Sequence, residues 1–83
     1  MSQNIRVTVL GDGGWGTALA LVNLRHGNEV MMWCAFADYV AVLKEEYENV
    51  KFLPGVKLPR DLRITSRLKE AVEFGDVLVL AIP

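Results

Sequence analysis

Gly11, Gly13 and Gly16 are the residues whose types and spacing point most directly to chemistry in this chain. A Gly-x-Gly-x-x-Gly run can hold the pyrophosphate of a dinucleotide, because each glycine removes a side chain from a place where it would obstruct. The first permits a tight reversal, the second lets backbone N–H groups approach the phosphates, and the third lets a helix pack close on its strand. The N-terminus of that helix adds the positive end of its dipole. Three of the seven glycines in 83 residues would also suit a plain tight turn, so the flanking segments decide. They favour a cofactor turn: the apolar run Ile5 to Leu10 precedes the glycines and the apolar stretch Thr17 to Leu24 follows them.

No catalytic constellation accompanies the turn. The single cysteine, Cys34, closes an apolar segment, and the single histidine, His26, lies at the opposite end of that segment. Cys34 therefore reads as a small buried hydrophobe rather than a nucleophile paired with imidazole. Arg25 and His26 read as positive charge in the last turn of a helix. One cysteine makes no internal disulfide, and no metal ligands are assigned. Nine Lys and Arg residues are spread among ten acidic ones, for a net charge of −1. That leaves no basic stripe for a nucleic acid. Met1-Ser2-Gln3-Asn4 gives no basic flank to a signal peptide, and the apolar run after Arg6 is soon broken by glycine. Neither a leader nor a membrane span is expected, and the location expected is cytoplasmic.

The elements that must position the turn follow from periodicity and breakers. Ile5 to Leu10 is a β-branched run suited to a parallel strand covered on both faces. Trp15 to His26 reads as a helix stopped by Gly27, and Glu29 to Cys34 as a second strand. Phe36 to Tyr47 is a weaker helix with Val40, Leu43 and Tyr47 on one face and Lys44, Glu45 and Glu46 mostly in water. A loop carrying Pro54-Gly55 and Pro59 leads to a short, more exposed strand at Leu62 and Ile64. Ser66 is placed to cap a brief helix to Phe74, which Gly75 ends. Val77 to Ile82 is apolar at every position, as in a central parallel strand. The order β-α-β-α-β-α-β predicts an α/β chain, the first half of a doubly wound (Rossmann-type) parallel sheet in three αβα layers. Residues 1–83 are then one nucleotide-binding half-domain that stops after its fourth strand, with a longer parent chain or a partner expected to cover it.

The stretch Gly11-Asp12-Gly13-Gly14-Trp15-Gly16-Thr17-Ala18-Leu19-Ala20 resembles the opening of NAD(P)-dependent glycerol-3-phosphate dehydrogenases, whose fingerprint has an aromatic residue before the third glycine. Asn49-Val50-Lys51-Phe52-Leu53-Pro54-Gly55, followed by Lys57-Leu58-Pro59, is similar to that family's loop after the second helix, and Trp33 also fits. The likeness spans essentially the whole chain. It implies reversible hydride transfer between C2 of sn-glycerol 3-phosphate and C4 of a nicotinamide, giving dihydroxyacetone phosphate. The cofactor implied is NAD, with NADP as the alternative, and the full-length protein is implied to be a homodimer. By resemblance, Gly11, Asp12, Gly13, Gly14, Trp15 and Gly16 hold the pyrophosphate, and Trp15 lines the cofactor cleft. Ala35 and Phe36 approach the adenosine, and Pro83 sits at the cleft floor. From the residues alone, Trp15 could instead anchor its helix on the sheet, and Phe36 could be ordinary core. The family's catalytic lysines, substrate-phosphate ligands and helical substrate domain lie further along its chains. Lys44, Lys51, Lys57 and Lys69 accordingly read as surface residues, and no catalytic residue is assigned here.

Three positions depart from the family's pattern. Asp12 stands where a small neutral residue is usual, so its carboxylate is expected to repel the pyrophosphate. Replacing it by alanine should strengthen cofactor binding by up to roughly 1 kcal/mol, more so at low salt. Gly14 replaces the usual Ser or Asn and loses a side-chain donor. After the second strand come Cys34, Ala35, Phe36 and Ala37, with no acid before Asp38 and no arginine. Selection of NAD by a strand-end carboxylate is thus not assured, and NADP is less favoured still, since its 2′-phosphate finds no arginine in this stretch. The rival readings are another dehydrogenase with this half-domain, of 6-phosphogluconate or ketopantoate type, and a nucleotide-binding module without chemistry. Phe52-Leu53-Pro54-Gly55 speaks against the former. Residues 1–83 alone are expected to oxidise no glycerol 3-phosphate, lacking both a placed base and a phosphate clamp.

Overall fold

The structure, a computed structural model, describes residues 4–82. Strand β1 (Arg6–Leu10) lies at the centre of its logic: Val7, Thr8, Val9 and Leu10 are all buried, alternating between the two faces. It is flanked in parallel by β2 (Glu29–Trp33) and by β6 (Val77–Leu80), with Leu10 opposite both Trp33 and Leu80. Strand β5 (Arg63–Thr65) extends the sheet beyond β2, giving the order β5-β2-β1-β6. The chain therefore runs outward from β1 on one side and returns to its other side. The reversal point, where doubly wound folds bind ligands, falls at the carboxyl ends of β1 and β6.

Two helices cover one face and a third covers the other. Helix α1 (Gly14–Arg25) and α2 (Ala37–Glu46) close over a core of Val7, Val9, Ala20, Val30, Met32, Leu43 and Ile64. Helix α3 (Leu68–Phe74) packs Ala71 against Leu10 and Met31 on the opposite face, where the buried Thr8 hydroxyl donates to the Ala71 carbonyl at 2.6 Å. The three-layer α/β expectation is met, and the helix bounds agree with the sequence reading to within one or two residues.

Three local expectations need correction. The segment after α2 is not a plain loop: β3 (Glu48–Asn49) and β4 (Leu53–Lys57) pair antiparallel, Glu48 opposite Lys57 and Asn49 opposite Leu53. Pro54 and Gly55 hide such a strand from propensity, yet a two-stranded ribbon is all edge and tolerates a missing donor. Ser66 does not cap α3. Arg67 takes the cap position without a side-chain bond, and its N–H is instead accepted by Thr65 Oγ1 at 3.0 Å. Leu62 and Ile64 are buried rather than exposed, because they pack with Leu58 and with Val40 and Leu43 of α2. As expected of a half-domain, β6 ends the sheet among the described residues, and Leu80 is 71% exposed. An apolar run says what a strand is suited to bury against, while its place in the sheet depends on which neighbours pair with it.

Candidate functional site

The turn between β1 and α1 is built from the three glycines in unequal ways. Gly11 has φ +133°, where an L side chain is strained, and a Cβ there would stand 2.7 Å from the Ala81 carbonyl oxygen. Its N–H donates to the Trp33 carbonyl, and the Ala81 N–H to that of Leu10, both at 3.0 Å, so the turn is stitched to β2 and to the residue after β6. A Cβ on Gly16 would strike the Gly11 carbonyl and lie 3.2 Å from Ala81 Cβ. These two glycines are demanded by the protein's own packing. Gly13 is not: it caps α1 in extended geometry, with no side-chain cap, and a Cβ there would meet nothing within 4 Å. The first turn of α1 carries no acidic residue. With no side-chain cap, its first N–H groups and the positive end of the helix dipole are left for an anion, and the side-chain position of Gly13 beside them is open.

The other residues singled out by sequence gather around this turn. Gly14 is pressed against the β3–β4 connection, where a Cβ would sit 2.8 Å from the Phe52 carbonyl. That contact accounts for glycine at a position where Ser or Asn was expected. Trp15 is 71% exposed and so does not anchor its helix on the sheet. Phe36, at the N-terminus of α2, is 69% exposed and outside the core. Ala35 is exposed beside it, just beyond the end of β2. Pro83 lies outside the described residues. Phe36 joins Asp12, Asp38, Tyr39, Val42, Lys51 and Phe52 in lining a cleft of about 470 Å³ next to the turn.

Asn49 is the residue whose part the sequence did not disclose. It is fully buried, and its side-chain amide donates to the Asp12 carbonyl at 2.6 Å and to Thr17 Oγ1 at 2.8 Å. Its Oδ1 accepts from the Tyr39 hydroxyl and from the Phe52 N–H. The Lys51 N–H in turn donates to the Tyr39 hydroxyl at 3.1 Å. One side chain thus ties the glycine turn, α1, α2 and the β-ribbon together. Lys51 is exposed, as expected of a surface lysine, and its ammonium stands 5.2 Å from the Phe52 ring centroid and 5.9 Å from that of Tyr39.

Cys34 is fully buried, and its thiol donates to Asp12 Oδ2 at 2.9 Å. Burial, and then the hydrogen bond to that carboxylate, push the thiol up from 9.0 to about 11. A thiol raised in this way favours the folded state below about pH 9, and that contribution is lost as pH rises through about 11. We expect the native protein to resist iodoacetamide at pH 8 for as long as the denatured protein takes to label fully, because the thiolate is the nucleophile. Intact-mass measurement decides this, and equal labelling rates would contradict it. Among the described residues no three His, Cys, Asp or Glu side chains stand together as a metal site, and no helix is long and apolar enough to cross a membrane.

Comparison with known proteins bears on the same segment. A family model described as NAD-dependent glycerol-3-phosphate dehydrogenase N-terminus matches residues 6–83. The chain is 47% identical over 78 residues to the glycerol-3-phosphate dehydrogenase (NAD(P)+) of Bacillus subtilis, covering 94% of this chain and 23% of that protein. The corresponding protein of Deinococcus radiodurans is 43% identical over 83 residues, 100% of this chain and 25% of the relative. In the crystal structure of glycerol-3-phosphate dehydrogenase from Coxiella burnetii the matching region gives a TM-score of 0.84 at 34% identity, over 93% of this chain and 24% of that one. The Plasmodium falciparum enzyme gives 0.80 at 28% identity, over 96% and 25%. This chain spans about a quarter of the length of these relatives.

Proposed function

We infer the function from one premise: this chain belongs to the family of NAD-dependent glycerol-3-phosphate dehydrogenases, as its N-terminal part. Residues 1–83 are the dinucleotide-binding portion of an enzyme that interconverts sn-glycerol 3-phosphate and dihydroxyacetone phosphate. The observation that carries this reading is the unfilled space at Gly13, set against two neighbouring glycines that the fold itself requires. The N–H groups of the first turn of α1 hold the pyrophosphate there, and Asp12 and Gly14 flank them. Trp15 is open to the cofactor from its exposed position on the first turn of α1, and Phe36, which lines the cleft, would receive the adenosine end together with the exposed Ala35 beside it. NAD is the favoured carrier over NADP. A bound nicotinamide would supply the hydride acceptor for oxidation at C2 of the substrate, whose hydroxyl proton would pass to a base outside residues 1–83.

Residues near the turn have other work. Asp12 accepts the Cys34 thiol, and Lys51 stands over aromatic rings. The proton acceptor and the clamp for the substrate phosphate belong to a helical substrate domain of the same enzyme, a cytoplasmic homodimer that engages no nucleic acid. The test is the full-length protein with dihydroxyacetone phosphate and NADH or NADPH, followed at the reduced-nicotinamide absorbance. Substrate-dependent oxidation is expected, and absence of turnover with both cofactors overturns the proposal.

A further inference from the structure

Strands β1 and β2 lie side by side in parallel with Leu10 opposite Trp33, so the residues just past their carboxyl ends become neighbours. Asp12 and Cys34 are 22 positions apart in sequence, yet Asp12 Oδ2 lies 2.9 Å from Cys34 Sγ. In doubly wound folds the end of β2 is where the adenosine ribose is read: an acid there accepts the 2′-hydroxyl of NAD, and a guanidinium there takes the 2′-phosphate of NADP. The stretch Cys34 to Ala37 supplies neither.

We propose that Asp12 selects the cofactor: although carried by the glycine turn, its carboxylate stands at the end of β2 as the missing strand-end acid, accepting the ribose 2′-hydroxyl and rejecting a 2′-phosphate. This rests on the dinucleotide reading above and says which dinucleotide the cleft prefers. A carboxylate offers about four lone-pair sites, and the Cys34 thiol occupies only one of them. Asp12 is half-buried and faces the cleft whose aromatic members, Phe36, Tyr39 and Phe52, suit an adenine. The Cys34 thiol is protonated at neutral pH, so it donates to Asp12 and holds the carboxylate in place. The charges agree with this assignment. Asp12 and Asp38 face the cleft against the single ammonium of Lys51, so a phosphate on the ribose meets a net negative wall. The repulsion foreseen from the sequence then falls on the third phosphate of NADP, whereas for NAD the same carboxylate is a hydrogen-bond acceptor.

The experiment uses the full-length protein, with dissociation constants for NADH and NADPH measured by calorimetry on the native form, Asp12→Ala and Asp12→Asn. Loss of a hydrogen bond to a charged acceptor corresponds to about a tenfold weaker complex. We expect Asp12→Ala to weaken NADH about tenfold and to tighten NADPH severalfold, and Asp12→Asn to shift the ratio in the same direction. Thermal unfolding of each variant shows that the turn persists. An NADH to NADPH ratio unchanged in both variants overturns the assignment, and so does tighter binding of NADH by Asp12→Ala, which would make the carboxylate a simple repulsive neighbour of the pyrophosphate. A native protein that binds neither cofactor fails the broader dinucleotide reading, an outcome distinct from an unchanged ratio.

Discussion

Gly13→Val in the full-length protein is expected to weaken dinucleotide binding by more than about a hundredfold, roughly 3 kcal/mol, while its far-UV circular dichroism and unfolding midpoint stay close to native. The separation of the two effects follows from the unequal roles of the glycines. Gly13 has φ −65° and ψ 178°, ordinary extended backbone for any L residue, and its Cβ direction is empty for 4 Å. Valine therefore costs the fold little. Its two methyl groups would occupy the space through which the N–H groups of the first turn of α1 must reach a pyrophosphate, and at van der Waals contact those hydrogen bonds cannot close. The same change at Gly16 would drive a side chain into the Gly11 carbonyl and would damage the fold itself. Calorimetry with NADH, alongside the melting curve, decides the matter. Native affinity in Gly13→Val would show that the turn is structural only.

Asn49→Leu is expected to destabilise the protein by about 3 kcal/mol, measured by equilibrium unfolding in urea. Leucine has a similar volume, so the loss is polar. Four hydrogen bonds converge on this fully buried amide, from or to Asp12, Thr17, Tyr39 and Phe52. Thr17 Oγ1 keeps a bond of its own, to the Asp12 carbonyl at 3.2 Å. The Phe52 N–H and the Tyr39 hydroxyl lose the acceptor they share on Asn49, and groups stranded in this way inside a protein cost more than a made bond contributes. Asn49→Asp sharpens the result: it has nearly the same shape, but it presents oxygen where Asp12 and Thr17 need a donor. A loss below about 1 kcal/mol in both variants would mean that water replaces the amide without penalty.

Much of the frame was legible from local pattern. β1, α1 and β2 follow from apolar runs punctuated by Gly11 and Gly27, and residues that pack within one unit announce themselves by period. What stayed hidden depends on partners distant in sequence. Asn49 looks like any polar loop residue until the β-ribbon folds over the glycine turn. Lys51 reads as a solvated charge and is one, but its place over Tyr39 and Phe52 shows only in the fold. The contact between Asp12 and Cys34 exists because of the register of two parallel strands, which no spacing within either segment reports. The burial of Ile64 has the same origin, since alternation with polar neighbours reveals which side chains share a face but not what covers that face.

The seam between Gly11 and Ala81 has a consequence for how the protein is made. The turn is coded at the start of the chain, yet two of its constraints, the oxygen facing Gly11 and the methyl facing Gly16, come from a residue 70 positions later. At about 5 to 20 residues per second, a ribosome delivers Ala81 roughly 4 to 14 seconds after Gly11. During that interval β1 has no β6 beside it, and the turn has β2 and Asn49 to close against but lacks the wall that Ala81 supplies. The first-translated part of the site is therefore among the last to take its final shape, and a nascent chain holds no finished cradle for a dinucleotide until β6 has docked.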